Sequence, residues 1–183
     1  MYNASVNRAL HGGKEREKKM CFRPDTRARR LSEVNLYVLR HIGIRVLLLD
    51  ADNTLTRWNE TEIAPEIKEW VRLAKALGMA ALVISNNGPE RLQPLAETLE
   101  INCFPRMRKP LPFRTKKLLR QLGFAPQQCA VIGDQILTDV MLGKSLGAHT
   151  VLLDPIDTAK EYWWTTRVNR PLEKLIKKLW KIV

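Results

Sequence analysis

Short apolar runs alternate along this chain with longer segments that mix apolar and polar positions. The runs are almost entirely apolar, a pattern typical of strands that are buried on both faces of a sheet. The predicted strands are residues 45–50, 80–85, 102–105, 129–133 and 149–153.

The segments around these runs carry apolar residues at the three-to-four spacing of amphipathic helices. The predicted helices are residues 32–43, 64–77, 89–100, 112–122 and 136–146. Ser32 is the predicted N-cap of the first helix, and the residues that recur at helical spacing in it are Val34, Tyr37, Val38 and His41. Strands separated by helices predict an α/β fold around a parallel sheet that is covered on both faces. In such sheets the ligand site lies beyond the carboxyl ends of the strands.

Charge is unevenly distributed along the sequence. The net charge is +12. Residues 1–30 hold nine Lys or Arg against three acids, and residues 159–183 hold seven against two, so the middle is nearly neutral. Basic ends indicate an anionic partner such as phospholipid headgroups, nucleic acid or a phosphorylated substrate, and they are equally compatible with solvated tails.

The length of 183 residues fits one domain with two extensions. We predict a basic and partly flexible lead-in over 1–30, the main domain over 31–158, and a basic extension over 159–183. The end of the extension, "PLEKLIKKLWKIV", predicts an amphipathic helix. We expect its apolar stripe to pack on the domain, with a membrane interface as the alternative.

Neither a membrane span nor a secretory signal is visible in the sequence. No apolar run approaches the roughly 18–20 residues that cross a bilayer, and the first 20 residues lack an apolar centre. The three cysteines are scattered, which predicts reduced thiols. We expect a cytoplasmic protein, with peripheral attachment at the inner membrane surface as an alternative.

Polar clusters follow the ends of consecutive predicted strands, in the order Asp50 and Asp52, Ser85 and Asn86, Lys109, and Asp134 and Asp139. Each cluster alone is ordinary, because Asp, Asn and Ser are common in turns and helix caps. In a parallel sheet, however, all of them would meet at one edge. Four such clusters in sequence therefore predict a single site.

Phosphoryl transfer through an aspartyl-phosphate is the chemistry that needs these groups together. Asp50 would attack phosphorus, while Asp52 would protonate the leaving oxygen and later deprotonate water. Ser85, Asn86 and nearby backbone N–H groups would bind phosphate oxygens, and Lys109 would neutralise charge on the intermediate.

The same clusters offer hard oxygen ligands, which Mg²⁺ prefers. The predicted metal ligands are the carboxylates of Asp50, Asp134 and Asp139, together with the main-chain carbonyl of Asp52. A metal ion would offset repulsion among the acids and keep Asp50 ionised as a nucleophile.

Four stretches, "DADNTLT", "ISNNG", "RKP" and "IGDQILTD", resemble in order and spacing the motifs of haloacid dehalogenase (HAD) superfamily phosphatases. The resemblance extends from about residue 22 to 171. "FRPD", Trp58-Asn59 and "TRVNRPLE" more specifically resemble subclass IIIA phosphatases of the YqeG type, a group similar to mitochondrial phosphatidylglycerophosphate phosphatases.

This resemblance implies a Rossmann-like three-layer sandwich with a mostly parallel sheet of about five strands, Mg²⁺ dependence and phosphomonoester hydrolysis. It also implies Asp50 as nucleophile, Asp52 as acid and base, Ser85 and Lys109 as phosphate ligands, and Asp134 with Asp139 as metal ligands.

The spacing of the motifs leaves no room for a cap domain over the site. Only 32 residues separate Asp52 from Ser85, and 23 separate Ser85 from Lys109. A site without a cap is open to bulky, lipid or macromolecular phosphates.

The favoured prediction is therefore a Mg²⁺-dependent phosphomonoesterase acting on a lipid phosphate such as phosphatidylglycerophosphate. A phosphatase of a soluble metabolite is the second reading. A basic RNA- or ribosome-binding module with incidental phosphatase activity is the third, although the chain shows no RNA-binding motif.

Overall fold

The structure, a computed structural model, describes residues 23–58 and 60–157. Its centre is a six-stranded sheet whose neighbouring strands are all parallel. The strands are β1 (Thr26–Ala28), β2 (Val46–Leu49), β3 (Ala80–Ile84), β4 (Asn102–Phe104), β5 (Cys129–Gly133) and β6 (His149–Leu153). They lie in the order β1-β6-β5-β2-β3-β4. The five strands predicted from the apolar runs are confirmed, and β1 is an additional one.

Helices cover both faces of this sheet. They are α1 (Leu36–His41), α2 (Pro65–Ala76), α3 (Pro89–Leu99), α4 (Phe113–Gln121) and α5 (Met141–Leu146). A π-helical turn, Ile136–Val140, leads directly into α5, and short 3₁₀ turns occupy Leu31–Glu33 and Pro126–Gln128.

Side-chain alternation along the strands builds two separate cores. Leu47 and Leu49 of β2 pack in the core that α1, α2 and α3 share, whereas Val46 and Leu48 pack on the other face with α4 and α5. Because both faces are buried, the strands read as continuous apolar runs. The predicted three-layer sandwich is confirmed.

The first predicted helix is wrong at its start. Ser32 lies in the 3₁₀ turn, Val34 is extended, and α1 begins at Leu36. Asn35 is the N-cap, since its Oδ1 accepts hydrogen bonds from the N–H groups of the second and third helical residues at 3.0 and 3.1 Å. The buried side of α1 is formed by Leu36 and Leu39, and the two residues between them are exposed.

Strand β1 lies in the segment that the sequence indicated as a lead-in, so the sheet begins before residue 31. Asp25, just ahead of it, accepts hydrogen bonds from the Thr150 N–H at 2.9 Å and hydroxyl at 2.7 Å, and from Lys144 Nζ at 2.6 Å. Partial burial opposes ionisation of Asp25, but these donors hold its pKa below the ordinary value. The carboxylate thereby fastens the edge strand to β6.

The order of the strands reverses at β2, which creates a crevice at the carboxyl end of this strand. Strands β3 and β4 follow on one side of β2, and β5, β6 and β1 lie on the other. This reversal of strand order is where open α/β sheets bind ligands. Between Asp52 and Ser85 the described residues form only a loop, α2 and β3, and between Ser85 and Lys109 only α3, β4 and loops. Within these described stretches the predicted absence of a cap domain is confirmed.

Several predictions fall outside the described residues. They concern the lead-in up to residue 22 and the extension from residue 158, including its amphipathic helix. Among the helices that are described, none has the length and apolar character needed to span a bilayer.

Candidate active site

The carboxyl end of β2 delivers Asp50 to the base of the crevice. Its N–H donates to the Ile132 carbonyl of β5 at 2.9 Å, which continues the β2–β5 ladder and fixes the residue in place. The pKa of Asp50 is raised to about 7, because the effects of burial and of the nearby Asp139 charge outweigh the lowering effect of the Lys109 charge. Asp50 is therefore held where its negative charge needs compensation.

A π-helical turn after β5 brings Asp139 to the same place. Its Oδ2 accepts a hydrogen bond from the Gln135 N–H at 3.2 Å, which folds the side chain back toward β5. Gly133, the last residue of β5, makes this approach possible, because a Cβ at that position would overlap the Asp139 carboxylate. π-helical turns are often found at functional sites, and here the turn aims an acid at the crevice.

Three carboxylates meet at this edge of the sheet. One oxygen each from Asp50, Asp134 and Asp139 lies within 4.8 Å of the others, and all three residues are buried. The sequence predicted this grouping from the order of the strands. A buried group of hard oxygen donors at this spacing fits a divalent cation such as Mg²⁺.

Lys109 is the cation that the chain itself places among these acids. Its Nζ donates to Asp50 Oδ1 at 2.6 Å and to Asp139 Oδ1 at 2.7 Å. Burial alone would lower the pKa of Lys109, but the charges of Asp139 and Asp50 raise it above the ordinary value. The ammonium therefore stays charged although the residue is only 7% exposed.

The loop that carries Lys109 is tied to the end of β3. The Lys109 N–H donates to Asn86 Oδ1 at 2.6 Å, and Asn86 Nδ2 donates back to the Lys109 carbonyl at 3.0 Å. The Met107 N–H donates to the Ser85 carbonyl at 2.9 Å. The Asn86 side chain thus clamps the Lys109 main chain, and its predicted binding of phosphate stays a prediction.

Ser85 lies at the carboxyl end of β3 and is buried. Its hydroxyl accepts a hydrogen bond from the Asn87 N–H at 3.1 Å, which shapes the turn into α3. Phosphate binding by Ser85 stays a prediction that its position at the crevice favours.

Asp52 lies apart from the three-acid group. Arg91 donates to its Oδ1 from Nε at 3.1 Å and from Nη2 at 2.7 Å, and Asn87 Nδ2 contacts Oδ2. After Asp52 the chain turns through Asn53, which adopts a left-handed φ of 57° that Asn tolerates. The two acids of Asp-Ala-Asp therefore occupy different surroundings, as separate chemical roles require. Metal binding by the Asp52 carbonyl stays a prediction.

Sequence reasoning missed Arg91. It is the third residue of α3 and lies six positions beyond Ser85. The available signal was its place in the first turn of the helix that follows Ser-Asn-Asn-Gly, where a side chain can reach back to the crevice. Its guanidinium holds the Asp52 carboxylate with two nitrogens, and we therefore assign it a positioning role.

Replacing Arg91 with Ala should lower turnover of a phosphomonoester about 10- to 100-fold, because Asp52 loses the group that orients it. KM should change much less, since Arg91 contacts Asp52 and not the three-acid group. Arg91→Lys should recover only part of the loss, because a single ammonium cannot reproduce the paired contact. Steady-state kinetics check this, with the exposed Arg72→Ala variant as control; full turnover in Arg91→Ala would contradict the assignment.

Comparison with known proteins agrees with this geometry. The sequence profile of the mitochondrial PGP phosphatase family matches residues 15–157. The chain belongs to this family. The chain is 31% identical over 158 residues to the probable phosphatase YqeG of Bacillus subtilis, covering 86% of this chain and 91% of that protein. The resemblance to YqeG-type HAD phosphatases is confirmed, and the chain is a phosphoric monoester hydrolase.

A plant relative is similar over only part of its length. The chain is 26% identical over 167 residues to the chloroplastic/mitochondrial phosphatidylglycerophosphate phosphatase 1 of Arabidopsis thaliana. This match covers 86% of the present chain and 47% of the plant protein.

Solved structures support the fold. An uncharacterized protein from Listeria monocytogenes superposes with a TM-score of 0.54 at 16% identity, covering 74% of this chain and 99% of that one. A hypothetical protein from Xanthomonas campestris gives a TM-score of 0.51 at 13% identity, covering 76% and 78%.

Proposed function

We propose that this protein is a Mg²⁺-dependent phosphatase that works through an aspartyl-phosphate on Asp50 and acts on a lipid phosphate. The observation that carries the proposal is the placement of Lys109 Nζ between Asp50 and Asp139, with Asp52 held separately by Arg91. A buried nucleophile, a fixed cation and a separate acid are the parts that phosphoryl transfer needs.

The donor set fits a divalent metal ion. Three buried carboxylates lie at the base of the crevice, and two of them contact the Lys109 ammonium. Asp50, Asp134 and Asp139 would hold Mg²⁺. When bound, the ion would neutralise charge on the carboxylates and on a phosphoryl group.

Hydrolysis would proceed in two steps on this chain's own residues. A carboxylate oxygen of Asp50 attacks phosphorus, the bond from phosphorus to the ester oxygen breaks, and Asp52 gives its proton to the departing oxygen. In the second step Asp52 takes a proton from water, whose oxygen attacks the phosphorus of the acyl phosphate. Asp50 and inorganic phosphate are released.

Lys109 and Ser85 would act on the oxygens of the transferring group. Lys109 Nζ already lies at hydrogen-bond distance from Asp50, so a phosphoryl group on Asp50 would lie beside a fixed positive charge. Such preorganised charge costs no reorganisation during the reaction. The Ser85 hydroxyl would supply a neutral hydrogen bond from the neighbouring strand.

A lipid phosphate such as phosphatidylglycerophosphate is the substrate class that we favour. The named activity of the Arabidopsis relative and the family of the chain support it. The element order supports it too, because the described residues between Asp52 and Lys109 form no cap domain that would exclude a bulky lipid.

The test is phosphate release from phosphatidylglycerophosphate in mixed micelles, compared with soluble phosphomonoesters, with Mg²⁺ and with a chelator. We expect the lipid phosphate to give the highest kcat/KM and the chelator to abolish turnover. A higher kcat/KM for a soluble metabolite would overturn the lipid assignment while leaving the phosphatase chemistry.

Mg²⁺ should also stabilise the folded protein in the absence of substrate. At about 100 times its Kd, a ligand that binds only the native state adds about 2.7 kcal/mol, or roughly 5–10 °C in Tm for a chain of this size. Thermal unfolding with and without Mg²⁺ measures this shift. Asp134→Asn should lose most of it, whereas Asp154→Asn on the surface should keep it; equal shifts in both variants would contradict the assigned site.

A further inference from the structure

Two large apolar side chains are exposed beside the loop that carries Lys109. Phe113 at the start of α4 is 74% exposed, and Leu111 just before it is 53% exposed. Apolar patches on a protein surface that are rimmed by polar residues are typical of interaction sites with proteins or membranes. We call the exposed side chains of residues 106–120 the α4 rim.

Exposed cations precede and follow this apolar pair along the chain. They are Arg106, Arg108, Arg114, Lys116, Lys117 and Arg120. Residues 101–133 contain no acid. The α4 rim therefore combines an apolar tip with positive charge that no acidic residue of its own segment offsets.

The fold ties the α4 rim directly to the candidate active site. Arg106 and Arg108 adopt left-handed φ values of 54° and 59°, and both side chains are exposed. Met107, which lies between them, and Lys109, which follows Arg108, are buried. Lys109 contacts Asp50, and Leu111 is only two residues further along, within about 7 Å of main chain. A surface that received the α4 rim would thus lie at the mouth of the crevice.

We propose that the α4 rim docks the enzyme on an anionic lipid bilayer, with Leu111 and Phe113 inserted among the headgroups and the surrounding cations facing lipid phosphates. Such docking would present a lipid phosphate to Asp50 without removing the lipid from the membrane. This presentation rests on the proposed function, whereas the docking itself can be tested without turnover.

Charge and apolarity together favour a bilayer over nucleic acid. Lys and Arg near an anionic membrane surface each strengthen binding about fivefold. Leu111 cannot stack on a base, and its exposure beside Phe113 gains nothing from a phosphate backbone. At a membrane interface both side chains would leave water for an apolar environment.

The experiment is flotation of the full chain with vesicles of phosphatidylcholine, alone or mixed with phosphatidylglycerol. We expect binding only to the mixed vesicles, weakened by salt. The double variant Leu111→Gln/Phe113→Gln should reduce partitioning about tenfold or more. Lys117→Glu should reduce it more than fivefold.

Matched controls come from α1, whose outer side also exposes apolar residues. Tyr37 and Val38 are 62% and 55% exposed, and Arg40 on the same helix is exposed. Tyr37→Gln/Val38→Gln and Arg40→Glu should each change vesicle partitioning less than twofold. If the α1 variants lose binding and the α4 variants keep it, the proposal is overturned.

Turnover of para-nitrophenyl phosphate in solution separates docking from chemistry. Vesicle binding that depends on the α4 rim supports docking even where no turnover is found, in which case only the proposed function fails. Turnover without vesicle binding, or vesicle binding unaffected by the Leu111→Gln/Phe113→Gln change, overturns docking alone. The docking proposal would also be overturned if single-stranded RNA displaced the vesicles and if RNA binding depended on Leu111 and Phe113 as strongly as vesicle binding does.

Discussion

Asp50→Asn should reduce phosphate release by about 10⁴-fold or more, because an amide cannot form the acyl phosphate. We expect this substitution to have only a small effect on the free energy of unfolding. Asn is nearly the same size as Asp and removes one charge from a group of three buried acids, while its side-chain oxygen can still accept from Lys109 Nζ. Phosphate release with Mg²⁺, together with circular dichroism and Tm, measures both effects.

The matched control for Asp50→Asn is Asp154→Asn, which makes the same chemical change at an exposed ion pair with Arg27. Its turnover should be unchanged, since an exposed ion pair contributes little. Retained turnover in Asp50→Asn would remove Asp50 from the nucleophile role. A mass increase of one phosphoryl group on rapidly quenched wild-type enzyme, absent from the variant, would be the direct support.

Lys109→Met should have the largest combined effect on activity and stability. Without the ammonium, Asp50 and Asp139 lose the cation that pairs with both of them, and breaking a buried ion pair costs about 3–5 kcal/mol. We expect turnover to fall about 10²- to 10³-fold, as for removal of a preorganised charge. We expect the metal-free Tm to fall by roughly 6–20 °C.

Adding Mg²⁺ should recover part of the lost stability in Lys109→Met but little of the turnover, because a metal ion can balance the carboxylates without replacing the ammonium beside Asp50. Lys68→Met on α2 is the matched control and should leave Tm and turnover close to wild type. A Lys109→Met protein with normal Tm and turnover would mean that Lys109 neither compensates the acids nor assists transfer.

The alternation of apolar runs and amphipathic segments was sufficient to predict five strands and most helices. Burial on both sheet faces imposes continuous apolar sequence, so the runs at β2, β3, β5 and β6 were visible without a structure. Strand β1 was missed because its three residues are exposed or half-buried, and it is held by the contact of Asp25 with Thr150. A contact between residues 125 positions apart leaves no local pattern.

The candidate site could likewise be predicted from the sequence only in part. Parallel strands place their carboxyl ends at one edge, so Asp50, Asp134 and Asp139 could be grouped from their positions after strands. The pairing of Asp52 with Arg91 could not be predicted, because it depends on where α3 packs relative to the end of β2. The clamp between Asn86 and the Lys109 main chain likewise arises from two loops that meet only in the folded chain.

The distribution of charge along the sequence does not reveal how charge is distributed on the surface of the folded protein. Summed over residues 31–158 the sequence is nearly neutral, yet residues 101–133 hold seven Lys or Arg and no acid. One of these, Lys109, turns inward to the acids while its neighbours Arg106 and Arg108 turn outward. Side-chain direction in an irregular loop follows from main-chain hydrogen bonds and left-handed residues, which the sequence does not display.

By itself, then, the sequence determined the α/β class, the parallel direction of the strands and the polar residues that follow them, because burial and strand polarity act through local pattern. Only the tertiary structure decided that Lys109 lies between Asp50 and Asp139, that Arg91 holds Asp52, and that Phe113 stands exposed among cations. These arrangements depend on contacts between distant segments, and such contacts exist only once the sheet and its loops have packed.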